Sequence, residues 1–167
     1  MVLTRQELVD ALRNEVRIFL HLTTKIDRAW LHYRPAPKQR STLELVRYLT
    51  FMGPELLRAG VTGTFDTDAW NAAEKAAGAL SHDQAIALLK KQGDAYAATL
   101  ETLSDTDFRA EVAPFGEPSS RGAFIVNNVL CGHAAYRTQL FLYLKACGRE
   151  ELSTWDLWAG VDAPPQA

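Results

Sequence analysis

Ser41-Thr42-Leu43-Glu44-Leu45-Val46-Arg47-Tyr48-Leu49-Thr50-Phe51-Met52 is the stretch on which the fold turns. A serine three residues ahead of a glutamate is a capping box: the hydroxyl accepts from the backbone N–H of the third helical residue, and the carboxylate accepts from the N–H of the cap itself. Leu45, Tyr48, Leu49 and Met52 then recur at i, i+3, i+4 and i+7, one face of a helix with 3.6 residues per turn. The segment starts an amphipathic helix with Tyr48 on its buried face.

The same start signal occurs on both sides. Thr4-Arg5-Gln6-Glu7, with Leu3 and Leu8 placed as a hydrophobic staple, opens a first helix over residues 5–31. Its stripe is Leu8, Leu12, Val16, Phe19, Ile26 and Trp30, and it stops before Pro35 and Pro37. After the central segment, Gly53-Pro54 kinks or ends the helix, and residues 60–63 read as a loop. Residues 66–77 form a short helix with Trp70, Ala73 and Ala77 inward. Ser81-His82-Asp83-Gln84 is a third capping box, and Ile86, Leu89, Gly93, Tyr96, Leu100 and Leu103 follow with the three-and-four spacing of a bundle seam. Residues 104–120, with Asp105, Asp107, Pro114, Gly116 and Pro118, form a long surface loop.

A last helix spans residues 121–146 with Gly148 as its stop. Its seam, Val129, His133, Tyr136, Leu140, Tyr143 and Cys147, turns His133 and Tyr136 inward. No strand alternation of useful length occurs. Four long amphipathic helices with one long crossover that carries a short extra helix make an all-α four-helix bundle. The expected organisation is a bundle over residues 1–150 and a tail over 151–167, whose Trp155 and Trp158, ahead of Pro164-Pro165, pack on the bundle or on a partner subunit.

At 167 residues the chain should bury roughly 70% of its unfolded surface and needs no staples. A formal charge of -2 without a basic block excludes the field that a phosphate backbone requires, so nucleic acid is not an expected partner. The most apolar stretch, 124–144, is broken by Asn127, Asn128, His133, Arg137 and Gln139. Residues 1–6 carry no apolar export segment, so the expectation is a cytoplasmic protein without a membrane span. Cys131 and Cys147 lie sixteen residues apart on one helix, about 24 Å at 1.5 Å per residue. They cannot form a disulfide and read as reduced, packed thiols.

Two segments resemble the DinB/YfiT-like superfamily. Tyr33-Arg34-Pro35-Ala36-Pro37 leading into Arg40 through Thr50 is similar to the family's proline turn and second helix, and His133-Ala134-Ala135-Tyr136-Arg137-Thr138-Gln139-Leu140 is similar to its last helix. The resemblance implies a four-helix bundle in which one histidine of the second helix and two of the last hold a divalent metal, in proteins thought to act as hydrolases or thiol-dependent transferases. Neutral imidazoles at i and i+4 point the same way from a helix, and a third from a facing helix completes such a site. With Arg137 and Gln139 in register, the three positions fall on Tyr48, Gly132 and Tyr136, none of them histidine. His133 is one residue out of place, a rotation of about 100°.

The resemblance also places Tyr48, His133, Tyr136 and Arg137 on facing helices, as a small-molecule pocket or as a polar network that fixes helix register. No catalytic residue, metal ligand or cofactor is assigned. Three functions stay open: a metal-free binding or accessory protein, a nickel-, zinc- or iron-dependent hydrolase or transferase that recruits His133, and a dimerisation module. A homodimer is expected from the analogy and from the tail tryptophans. Asp66-Thr67-Asp68 reads as an acidic helix start, not a calcium loop. His21 and His32 have no second ligand nearby in sequence, and His82 is expected in solvent. Nucleophile elbows, phosphate loops, dinucleotide fingerprints and C-x-x-C pairs do not occur.

Overall fold

The structure, a computed structural model, describes residues 3–164. Met1, Val2 and the last three residues of the expected tail lie outside that range. Four long helices form the body: α1 (Arg5–Thr23), α2 (Thr42–Thr62), α4 (His82–Glu101) and α7 (Cys131–Ala146), with α3 (Thr67–Gly78) between α2 and α4. α1 packs on α4 and α7, and α2 packs on the same two from the other side. α4 and α7 therefore face each other across the core. All three expected capping boxes are formed, at Thr4, Ser41 and Ser81. The architecture is all-α, as the periodicity requires. No helix among the described residues is long and apolar enough to cross a membrane.

Several boundaries differ from expectation. α1 stops at Thr23, eight residues early. Thr23 and Thr24 turn their hydroxyls back onto the carbonyls of Leu20 and His21. Asp27 then captures the N–H of Ala29 to start a separate 3-10 turn, Arg28–Trp30. α2 does not end at Gly53-Pro54 but runs through it to Thr62, with Gly63 as its left-handed stop at φ 79°. Pro54 lacks the N–H that the Thr50 carbonyl would take. Gln92 of α4 supplies the missing donor, its side-chain amide reaching the carbonyls of Leu49 at 2.7 Å and Thr50 at 3.2 Å. The cost of a mid-helix proline is thus offset by a buried glutamine from a neighbouring helix.

The expected loop after α4 carries structure of its own. A five-residue helix, α5 (Asp105–Arg109), precedes a short antiparallel ribbon in which β1 (Glu111–Val112) pairs with β2 (Ser119–Ser120). The last helix is continuous but not uniform: α6 (Arg121–Ile125) passes through one π turn, Val126–Leu130, before α7. A π turn holds one residue more than an α turn, so it re-aims the side chains before it relative to those after it.

The core has two apolar halves. One gathers Phe19, Leu22, Leu45, Leu49, Leu89 and Leu140; the other gathers Leu8, Leu12, Leu57, Leu100, Ile125 and Val129. Between them lie Glu15 of α1, Gln92 of α4 and His133 and Arg137 of α7, with the side-chain-free Gly53 of α2 beside them, so a polar layer crosses the bundle. At its centre Tyr96 of α4 and His133 of α7 are hydrogen bonded, Oη to Nε2 at 2.7 Å, both 1% exposed. Gly53 of α2 backs directly onto this pair. A Cβ there would fall inside the contact radius of the Tyr96 hydroxyl and 2.7 Å from His133 Nε2. Gly53→Ala is expected to destabilise the protein by about 2 kcal/mol, an overpacking cost, measured as a lower urea midpoint. An unchanged midpoint would show that the layer tolerates the methyl group.

Candidate functional site

Tyr48 and Tyr136 meet where α2 faces α7. Their rings are edge to face with centroids 5.0 Å apart. The helix spacing that put both on inward stripes is responsible, but both are only half-buried because they stand at the edge of the core. Tyr48 also packs edge-on against Phe51 at 5.3 Å and Trp70 at 6.2 Å, and Phe51 meets Trp70 at 5.0 Å. These aromatic contacts dock α3 across α2, and a single indole ring anchors it.

The positions that the resemblance assigns to chelating histidines, Tyr48, Gly132 and Tyr136, line one cleft of about 300 Å³, together with Met52, Asn127 and Asn128. The two asparagines come from the π turn. Gly132 matters for its lack of a side chain: a Cβ would stand 3.3 Å from the terminal methyl of Met52, which a larger side chain would have to displace. On its other side Tyr48 borders a larger cavity of about 460 Å³, between the 34–40 turn, α2 and α3. Arg40 lies over the Tyr48 ring, guanidinium carbon 3.7 Å from the centroid.

This donor set does not fit a divalent cation. It offers two phenols and a glycine, with no imidazole or carboxylate among the three positions. Burial, followed by the adjoining Tyr136, holds the Tyr48 phenol neutral, well above the usual tyrosine range, although Arg40 pulls the other way. A neutral phenol is a poor ligand for nickel, zinc or iron.

The other two candidate residues lie elsewhere. His133 does not open on the cleft: its Nε2 is committed to Tyr96, and its Nδ1 is buried without a hydrogen-bond partner among the described residues. Arg137 turns to the opposite side, where its Nη1 stands 3.3 Å from Glu15 Oε1 of α1, and its guanidinium lies 5.2 Å from the Trp158 ring centre. Burial pushes the Glu15 carboxyl up, against the pull of Arg137. The four residues thus serve three environments: the cleft for the tyrosines, the bundle centre for His133, and the α1 face for Arg137.

Sequence reasoning missed a second polar group. His21, expected to lack a nearby ligand, stands 2.9 Å from Asp156 and 3.7 Å from Asp162, both from the tail. The three side chains place their ligand atoms within 4.8 Å of one another. Lys25 also pairs with Asp162, so an ammonium already supplies positive charge there. Asp156 accepts in addition from the Ser153 N–H at 2.9 Å, and Arg17 donates to the Gly160 and Ala159 carbonyls at 3.2 and 2.8 Å. Together these contacts hold the tail on α1 over Ile18. A separation of 135 residues hides such a pair from any local pattern. Two smaller expectations also change: Cys131 is exposed, not packed, and His82 is largely covered, its side chain 19% exposed.

Burial pushes the His133 imidazole down to about 4. Between that value and the unfolded value of 6.5 the unfolded chain binds the proton that the folded chain refuses, so stability is complete above pH 6.5 and falls as pH drops toward 4. The loss should be on the order of 3 kcal/mol, at 1.36 kcal/mol per pKa unit. Urea midpoints measured at pH 7 and pH 4.5 should diverge in the wild type, with the difference reduced in His133→Leu. An equal pH dependence in both would remove His133 as its source.

The fold has a solved counterpart. The crystal structure of the DinB-like protein YjoA from Bacillus subtilis superposes with a TM-score of 0.67 over 87% of this chain and 94% of that one, at 19% sequence identity. The bundle is therefore DinB-like in fold. No protein-family model and no curated protein matches the sequence.

Proposed function

We propose that this chain is a small-molecule-binding protein that uses the DinB-like bundle without a resident metal, its ligand taken in the cleft where Tyr48 and Tyr136 meet. One observation carries the reading: the positions where the resemblance puts chelating histidines are brought together as Tyr48, Gly132 and Tyr136, forming a cavity wall of phenols and backbone rather than a chelate. A concave site with an aromatic lining and a few polar groups suits an organic ligand. The hydroxyls of Tyr48 and Tyr136 and the amides of Asn127 and Asn128 supply hydrogen bonds. A metal-dependent hydrolase or transferase that recruits His133 would find its Nε2 already bonded to Tyr96 and no imidazole or carboxylate bonded to it among the described residues.

Protein purified without an affinity tag should carry far less than one equivalent of nickel, zinc or iron by elemental analysis, and small organic compounds should raise its melting temperature less in Tyr136→Ala than in the wild type. One tightly held equivalent of metal that is lost in Tyr48→Phe or His133→Ala would overturn the proposal.

The same protein is proposed to work as a homodimer in the cytoplasm. Trp155 and Trp158 are 50% and 67% exposed, and Leu142 of α7 is 59% exposed; exposed indoles of this kind favour a partner surface. Sedimentation should give twice the chain mass, shifting toward the monomer in Trp158→Ser. A wild-type monomer at micromolar concentration would refute this part.

A further inference from the structure

The cavity on the far side of Tyr48 is unevenly charged. Arg34, Lys38, Arg40 and Arg47 line it against Glu44 and Glu74, so four cations face two carboxylates and two positive charges remain. Their partners decide which cations are free. Arg34 is spent on Glu44, with contacts of 3.1 and 3.2 Å to the two carboxylate oxygens. Arg47 is spent on the Leu80 carbonyl beyond the end of α3, with Nε at 2.7 Å. Arg40 and Lys38 have no carboxylate or hydrogen-bond partner for their side chains among the described residues.

Arg40 is also held in place. Its guanidinium carbon stands 3.7 Å from the Tyr48 ring centre, a cation–π contact that restricts the side chain and uses none of its N–H donors. A guanidinium ordered before binding loses little entropy when it takes a planar anion, and its paired donors match a carboxylate or phosphate. Lys38, exposed beside it, adds a second point charge at the rim. Phe51 and the edge of Tyr48 offer an apolar wall beside these charges.

We infer that this cavity takes a small organic anion, its carboxylate or phosphate held by Arg40 and Lys38 and its apolar body laid against Tyr48 and Phe51. The inference goes beyond the binding proposed above, since it places a ligand in the neighbouring cavity, with Tyr48 as the wall between it and the cleft. Glu74, which makes no ion pair among the described residues, also lines the cavity; it repels a second negative group and so favours ligands charged at one end. Affinity falls with added salt, because the site is open to solvent and screening acts on it directly.

Calorimetric titration of the full chain at low salt with phenyl phosphate, benzoate and uncharged benzyl alcohol tests this. Saturable binding of phenyl phosphate or benzoate, with benzyl alcohol silent, is expected, and the stronger of the two identifies the headgroup. Arg40→Ala and Lys38→Ala should each weaken the anion by roughly tenfold, the scale of a charge-assisted contact, while Arg28→Ala, an exposed arginine paired with Asp83 outside the cavity, should not. Lys38 is exposed, so Lys38→Ala reports on binding even if Arg40→Ala perturbs Tyr48. No binding of either anion at millimolar concentration, or unchanged anion affinity in both variants, overturns the inference. Binding of benzyl alcohol as tight as that of the anions, and lost in Tyr136→Ala, overturns the charge assignment while leaving the cleft as a binding site. Failure of all three probes together with an empty compound screen removes the binding reading as well.

Discussion

A hydrogen bond across the middle of the bundle, Tyr96 to His133, sets the terms for everything around it. Two large polar side chains from helices that face each other across the core can meet only if a third helix withdraws, and Gly53 is where α2 does so. The proline that follows would break α2 in isolation, yet Gln92 from α4 takes over the freed carbonyl. Arg137 and Glu15 extend the layer to α1. Such a layer contributes little net stability, because its hydrogen bonds replace bonds to water, but a mismatched register would break the bonds that Tyr96, His133, Gln92 and Arg137 make between helices. It therefore selects one alignment of the four helices.

The candidate site depends on that alignment without sharing its residues. With α2 and α7 held in register, Tyr48 and Tyr136 come edge to face at the margin of the core, the π turn brings Asn127 and Asn128 to the same opening, and Met52 covers Gly132. α3 closes the other flank through Trp70, and the 34–40 turn carries Arg40 onto Tyr48. The aromatic pair is a shared wall between two hollows, one neutral and one positive. A divalent ion needs convergent charged or imidazole donors; the cleft provides phenols and amides, and the cavity beside it guanidinium groups.

The helical reading was legible because it rests on short-range physics. Capping boxes at Thr4, Ser41 and Ser81 act over three residues, and the stripes that follow repeat within two turns, so both survive translation from sequence to structure. Errors arose where a distant group decides. Nothing near Pro54 announces Gln92, and nothing near His21 announces Asp156. The ribbon between α5 and α6 pairs only two residues on each side, too few for an alternating pattern to register. Of the four residues singled out, Tyr48 and Tyr136 share the cleft, whereas His133 and Arg137 are drawn by Tyr96 and Glu15 to the centre and to the α1 face. A seam drawn on one helix cannot distinguish these destinations.

Sequence alone determined the number of long helices, their starts, the inward stripes and the absence of histidine at Tyr48, Gly132 and Tyr136, since each follows from local spacing and residue identity. Tertiary structure alone decided which polar residues meet, which group takes the carbonyl that a proline leaves free, and which cations near Tyr48 stay unpaired among the described residues. The reason is physical: a helix is defined by contacts three and four residues away, whereas a site is defined by contacts between helices, whose angles and register depend on the packing of the whole core.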